Sequence, residues 1–376
     1  MRNMPTRHSF FAACPPGLET ILQTELFALG INHPQSVPGG VEFSGFLSHL
    51  YRVNLWSRTA SRVLVRLGEF EAKSFQELKR KTADLLWGQF LKPNTAIHVR
   101  ATCHKSKLYH SDAVAERVGE AINDCLHSPL PSAKLPMAEG AGVRVVVRLD
   151  HDHCTLSLDS SGDHLHQRGY RLATAKAPLR ETLAAALLLC AHYDPTQSFL
   201  DPFCGSGTFA IEAALIARNV APGINRRFAF MDWLSFDADE WYQLILDARA
   251  ARRATTPAPI LASDRDAGAV AATIDNAARA GVADSLQITA HSVSDIQPPG
   301  DRGLIVTNLP YGQRVGEDVR NVYARFGSVL REKCPGWRVG FLAGSLALVK
   351  QTRLAVGEPV WIENGGLKVP FVQASL

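Results

Sequence analysis

Two rhythms of apolar and polar positions meet near residue 170. Beyond it, short apolar runs alternate with alanine-rich stretches of helical length. The pattern predicts strands at 198–200, 259–262, 286–289, 304–306 and 337–342, and helices at 208–217, 267–280 and 322–333. Strand and helix in alternation predict an α/β fold with a doubly wound, mostly parallel sheet. Before residue 170 the pattern is mixed. Helices are expected at 19–29 and 113–126, and VRVVVRLD (143–150) with TLSL (155–158) reads as a hairpin across a polar turn. This half therefore reads as α+β. The stretch 221–259 interrupts the later alternation and reads as an insertion with its own helix, its Trp233, Phe236 and Trp241 serving as packing anchors.

Length and composition narrow the class. At 376 residues the chain is too long for one ordinary domain, and 46% apolar with 20% charged residues excludes overall disorder. The apolar run at 183–191 is far short of the roughly 20 residues a membrane span needs. The start, MRNMPTRHSFFAAC (1–14), holds too short an apolar stretch for a signal peptide, and PPG follows at once. The chain reads as cytoplasmic. Seven cysteines without a C-x-x-C pair argue against a disulfide scaffold or a zinc module. Potential ligands cluster in HDHC (151–154), but neighbours on a short polar turn read as a turn, and no metal is expected.

Charge adds more. The net charge is only +4, yet twelve Lys/Arg face four Asp/Glu between Arg52 and Lys107, and eleven of the thirteen histidines precede residue 167. A solvated basic face would look like this. So would an anion-binding module beside a near-neutral, enzyme-like half.

The chemistry is expected at strand ends, where open α/β sheets bind ligands. The strand at 198–200 runs into Asp201, Pro202, Phe203, Cys204, Gly205, Ser206, Gly207 and Thr208, and a helix follows directly. The glycines permit a tight turn and close approach to a ligand, and the helix start favours polar or anionic groups. The loop is neither a G-x-G-x-x-G fingerprint nor a Walker loop, which disfavours a nicotinamide or nucleoside triphosphate. With no histidine nearby in sequence, Cys204 is not read as a nucleophile. Asp264, at the next strand end, suits ribose hydroxyls, and either it or Asp266 suits helix capping. Asp295, after the third strand, suits an adenine amine. The strand at 304–306 ends in TNLPYG (307–312), where a turn accounts for the Pro and Gly but leaves the Asn and Tyr unexplained.

The order DPFCGSGT, Asp264, TNLPYG resembles the amino-methylating group of class I S-adenosylmethionine-dependent methyltransferases. QRGYR (167–171), APLRETLAA (177–185), FCGSGTFAIEAA and APG are more closely similar to the THUMP-domain RNA guanine-N2 methyltransferases. GVEF (40–43), NLWSR (54–58) and ATCHKSKLYH (101–110) look like that family's ferredoxin-like segment and THUMP domain. The resemblance covers nearly the whole chain. It implies a ferredoxin-like segment at 1–55, a THUMP RNA-binding domain at 56–168 and a Rossmann-like methyltransferase domain at 169–376. It also implies S-adenosylmethionine as cofactor, held by residues 201–208, Asp264 and Asp295. The expected substrate is an exocyclic amine of RNA, guanine N2 of 23S rRNA foremost, with tRNA guanine N2 or adenine N6 of DNA or RNA as alternatives. An RNA-binding protein on an inactive methyltransferase scaffold is the non-enzymatic alternative.

A base amine is a poor nucleophile because its lone pair is delocalised into the ring. Two acceptors holding its N–H groups would turn that lone pair toward the methyl. The Asn308 side-chain oxygen and the Leu309 carbonyl are spaced for this, Pro310 restrains the backbone, and Tyr311 suits stacking on the base. Family members often carry Pro where Leu309 stands, but the chemistry asks only for a carbonyl there. RNA phosphates are expected to meet Arg58, Arg62, Lys105 and Lys107, with Arg168 and Arg171 near the domain interface.

Overall fold

The structure is a computed structural model and describes residues 6–126, 142–171, 179–311 and 319–376. Gly312 and the Ala177–Pro178 pair of the quoted segments fall outside these residues. Two seven-stranded sheets carry the fold. The first contains β1 (His8–Ala13), β2 (Gln35–Val37), β3 (Gly40–Gly45), β4 (Arg62–Glu71), β5 (Ile97–His104), β6 (Val143–Asp150) and β7 (His153–Asp159). Their spatial order is β2-β3-β1-β4-β7-β6-β5, antiparallel throughout except for the parallel β5–β6 pair. Helices α1 (Glu19–Ala28), α2 (Leu47–Trp56), α3 (Phe75–Ala83) and α4 (Ser111–Cys125) accompany it. The sheet runs unbroken past residue 55, because β4 pairs with β1 on one side and β7 on the other.

The second sheet contains β8 (Ser198–Asp201), β9 (Ile260–Asp264), β10 (Gln287–Ala290), β11 (Gly303–Asn308), β12 (Arg338–Leu342), β13 (Val360–Asn364) and β14 (Leu367–Ser375). Its order is β10-β9-β8-β11-β12-β14-β13. The strands from β10 to β12 are parallel, and β14 and β13 close the sheet antiparallel. The helices here are α5 (Glu181–Cys190), α6 (Thr208–Ala217), α7 (Ala238–Ala250), α8 (Ala267–Ala280), α9 (Val319–Lys333) and α10 (Leu346–Gln351).

Sequence explains the layering. All of β8 and most of β11 are buried, as expected of central parallel strands covered on both faces. The chain leaves β8 for β9 and β10, then returns to β11 on the other side, so the switch point lies between β8 and β11. Helix α6 is apolar nearly all round because it is enclosed by β8, β9 and α5. Helix α8 starts at Asp266, whose carboxylate accepts from the Gly268 amide at 2.8 Å. Such a cap contributes about 1 kcal/mol.

The insertion joins the two halves. Tyr51 stacks on Phe230 at 4.7 Å, Trp241 meets Phe230 edge-on at 5.3 Å, and Trp233 meets Phe90 at 5.2 Å. Phe236 packs edge-on against Tyr51 at 5.8 Å. Among the described residues no helix is long and apolar enough to cross a membrane.

Candidate active site

The carboxyl ends of β9, β8 and β11 lie side by side, which brings Asp264, Asp201 and Asn308 to one edge of the sheet. Thr307, one residue before Asn308, donates its hydroxyl to Asp201 Oδ1 at 2.6 Å, a bond that bridges the switch point. The Phe203 amide donates to the same oxygen at 3.3 Å, and Pro202 between them is buried. Burial, with a smaller upward push from Asp264, outweighs the two hydrogen bonds and leaves the Asp201 carboxyl raised to about 7. This acid is therefore poised to titrate near neutrality.

The glycine loop has two glycines with different duties. At Gly207 (φ +84°) an added Cβ would stand 2.5 Å from Thr273 Cγ2, so side-chain packing excludes one. At Gly205 (φ +53°) an added Cβ would meet nothing within 4 Å, so that backbone faces open space. The left-handed conformation itself favours glycine at both places. Asp264 secures the loop: its Oδ2 accepts from the Gly205 amide and its Oδ1 from the Asp266 amide, both at 3.0 Å. Helix capping falls to Asp266, and Asp264 braces the loop while two oxygens retain lone pairs for further donors.

Helix α8 supplies loop supports that the motifs alone did not reveal. Thr273 donates its hydroxyl to the Gly205 carbonyl at 2.8 Å, and Asn276 donates to the Ser206 carbonyl at 2.9 Å. Both side chains are fully buried. Two polar residues three apart on the buried face of an alanine-rich helix were the available signal. Cys204 is buried beside Thr273, and burial raises its thiol well above the ordinary range, which does not suit a nucleophile.

Asn308 closes the group. Its Oδ1 is buried and has no hydrogen-bond partner among the described residues. Leu309 is held by its amide, which donates to the Leu342 carbonyl at 3.3 Å, and its side chain is fully buried. Pro310 and Tyr311 are half-buried. Asn364, at the end of β13, donates to the Tyr311 hydroxyl at 2.7 Å, while Gly344 leaves room for the Tyr311 Cβ. Asp295 lies apart from this cluster's interior, exposed on a 3-10 turn after β10.

The basic candidates divide. Lys105 and Lys107 are exposed on the turn after β5. The four arginines are engaged within the fold instead. Arg168 pairs with Glu212 at 3.0 Å and donates to the Arg58 carbonyl at 2.7 Å, with its side chain only 2% exposed. Arg58 donates to the Val220 carbonyl at 2.9 Å. Arg62 pairs with buried Asp159 and donates to the Gly162 carbonyl. Arg171 donates to Thr208 Oγ1 at 2.6 Å and the Leu179 carbonyl at 2.8 Å. Tyr170 completes the network by donating to Glu212 at 3.1 Å. Arg58 and Arg168 thus tie the two halves together, while Arg62 is engaged within the first half and Arg171 within the second, so the four arginines expected at RNA phosphates all have internal partners. The HDHC turn is also dispersed: Cys154 is buried in β7, His153 faces Glu69 at 3.6 Å, and His151 turns toward Asp150.

A mostly parallel sheet with a glycine loop, an acid and an unpaired amide oxygen at its switch point, set beside an α+β module, defines a methyltransferase built on two halves. Residues 168–369 match the RMKL-like methyltransferase domain, 9–64 the RlmL ferredoxin-like domain and 72–159 the THUMP domain. The chain belongs to the RMKL-like methyltransferase domain family. It is 35% identical over 374 residues to a putative RNA methyltransferase, slr0064, of Synechocystis, covering 99% of this chain and 97% of that protein. It is 37% identical over 378 residues to the ribosomal RNA large subunit methyltransferase K/L of Methylococcus capsulatus, covering 97% of this chain. The chain spans about half the length of that relative, 51%. Among solved structures, a putative methyltransferase, SMU.472, described as complexed with SAH, superposes with a TM-score of 0.88 at 28% identity, covering 99% of both chains.

Proposed function

We propose that the chain transfers a methyl group from S-adenosylmethionine to an exocyclic base amine of RNA, guanine N2 of large-subunit ribosomal RNA being the specific substrate. The observation that carries this reading is the buried Oδ1 of Asn308 at the end of β11, which has no hydrogen-bond partner among the described residues. A buried acceptor left without a donor is costly in a folded protein, and a substrate N–H would remove that cost. The K/L relative's name supports ribosomal RNA as the substrate class.

The residues present fit the cofactor. Gly205 offers open backbone, Asp201 a buried acid and Asp264 spare acceptor capacity. The relative described with SAH supports the same assignment. Residues 201–208, Asp264 and Asp295 would hold the cofactor, which supplies an electrophilic methyl. Asn308 Oδ1 and the Leu309 carbonyl then accept the two amine N–H groups and orient the nitrogen lone pair. Tyr311, fixed by Asn364, stacks on the base. Because the methyl is already strongly electrophilic, positioning counts for more than a strong base. We take 1–55, 56–168 and 169–376 as the ferredoxin-like, THUMP and methyltransferase domains, with Lys105 and Lys107 as the retained phosphate contacts.

Incubation with labelled S-adenosylmethionine and undermodified 23S rRNA, followed by nucleoside mass spectrometry, is expected to yield N2-methylguanosine. N6-methyladenosine would instead identify an adenine enzyme, and product on tRNA alone would move the substrate class. No cofactor binding by calorimetry would leave an RNA-binding protein on an inactive scaffold.

A further inference from the structure

We propose that His104, Asp150 and His151 form a binding site for a divalent transition-metal ion of the zinc class. The site lies on the first sheet and is independent of the methyl-transfer reading. His104 Nδ1 stands 2.9 Å from Asp150 Oδ1, and His151 Nδ1 stands 2.8 Å from the same oxygen. One donor atom from each residue lies within 4.8 Å of the other two. A tetrahedral ion with bonds of about 2.0–2.1 Å needs donors about 3.4 Å apart, a spacing that small rotations of exposed rings reach.

Three separate segments of backbone geometry create the cluster. In the parallel β5–β6 register His104 sits directly opposite Asp150. His151 is the next residue, and its left-handed backbone (φ 51°) begins the turn that returns the chain into β7. The two turns are tied together. The His151 amide donates to the His104 carbonyl at 3.1 Å, the Ser106 hydroxyl to that carbonyl at 2.9 Å, and the Asp152 amide to Ser106 Oγ at 3.0 Å. The Lys107 amide donates to Asp152 Oδ1 at 2.7 Å. The ligand-bearing backbone is thus fixed before any ion arrives, which lowers the ordering cost of binding.

Two imidazoles and one carboxylate suit Zn²⁺, Co²⁺ or Ni²⁺ and do not suit Mg²⁺ or Ca²⁺, which require oxygen donors. Asp150 Oδ2 faces Arg148 at 3.4 Å, leaving Oδ1 as the ligand atom and orienting the carboxylate from behind. The His104 and His151 side chains are 64% and 65% exposed, so water completes the coordination shell. Arg148 and Lys105 oppose a cation here, and the site is therefore an exchangeable one. Sequence spacing led to no metal being expected at HDHC, because His104, which the β5–β6 register brings to Asp150 and His151, lies 47 residues away by numbering, from 104 to 151.

The test is titration of the full chain with Co²⁺, followed by visible absorption, with bound Zn²⁺ counted after dialysis. One ion is expected, without a thiolate-to-cobalt charge-transfer band. His104→Ala and His151→Ala should each weaken binding by at least about tenfold, and His153→Ala should leave it unchanged. Both ligand side chains are exposed, so unchanged thermal unfolding of the variants shows that the loss is local. The proposal is overturned by absence of saturable binding, by a thiolate band on the saturating ion, or by wild-type affinity in His104→Ala.

Discussion

The carboxyl edge of the second sheet and the basic half of the chain treat polar side chains in opposite ways. At the ends of β8, β9 and β11, polar groups are buried, Asn308 Oδ1 and Ser263 Oγ have no hydrogen-bond partner among the described residues, and the Gly205 backbone stays open. In the basic half, positive charge that would suit an anion is mostly neutralised internally, as in the Arg168–Glu212–Arg58 network, although Arg58 Nη1, Arg168 Nη1 and Glu212 Oε2 there have no hydrogen-bond partner among the described residues. An unpaired neutral acceptor beside open backbone at a strand end points toward a ligand, whereas opposite charges that neutralise one another inside the fold point toward architecture. The contrast separates residues that wait for a substrate from residues that hold the halves in register.

Removing Arg168 should break the architectural side most severely. Arg168→Met leaves Glu212 buried without its ion-pair partner and should cost about 3–5 kcal/mol in denaturant unfolding. The salt dependence of RNA binding by the folded protein should stay as it was. A loss below about 1 kcal/mol would mean that Arg168 is not the staple its burial suggests.

The site side of the comparison is sharpened by Asn308→Ala. Turnover should fall on the order of 10²-fold or more, with RNA binding intact, because the lost acceptor acts mainly in the transition state. Single-turnover methyl transfer measures this directly, and an unchanged rate removes Asn308 from catalysis.

What was legible in sequence follows the same division. The helices at 208–217 and 267–280 match α6 and α8, and each later strand falls within two residues of its expected place. Short apolar runs between Ala-rich helices leave few alternatives, and backbone topology alone gathers their ends. The β13–β14 hairpin was missed, although Asn364, Gly365 and Gly366 marked its turn, and with it the partner of Tyr311. In the first half, β1 to β5 were not separated because antiparallel strands of mixed exposure carry weaker patterns. Charge counts located a basic region but could not tell Arg62 facing Asp159 from Lys105 facing water. That difference depends on partners distant in sequence. Thr273 and Asn276 were hidden for the same reason.

Lys105→Ala with Lys107→Ala tests whether the exposed lysines are what remains of the basic half's binding function. The double variant should weaken RNA binding moderately and reduce the slope of log affinity against log salt by about one per lysine. An unaltered slope would mean that phosphate is held elsewhere, and unfolding should be unaffected in either case.

Asp201 should make itself felt through a change in pH dependence. Its folded value of about 7 lies above its ordinary 3.8, so between these pH values the folded chain binds more proton than the unfolded one. Stability contributed by this group therefore falls as pH rises through that window and levels off above it. Asp201→Asn cannot lose the proton, so the variant should gain stability relative to wild type as pH rises, most clearly above neutrality. Glu181 and Glu212 are also raised by burial, and comparing the variant with wild type cancels their share. Parallel unfolding curves for the two proteins across this range would show that the Asp201 carboxyl titrates alike in both states. In that case its burial under Thr307 would be architecture, and the strand-end cluster would lose its one acid poised near neutrality.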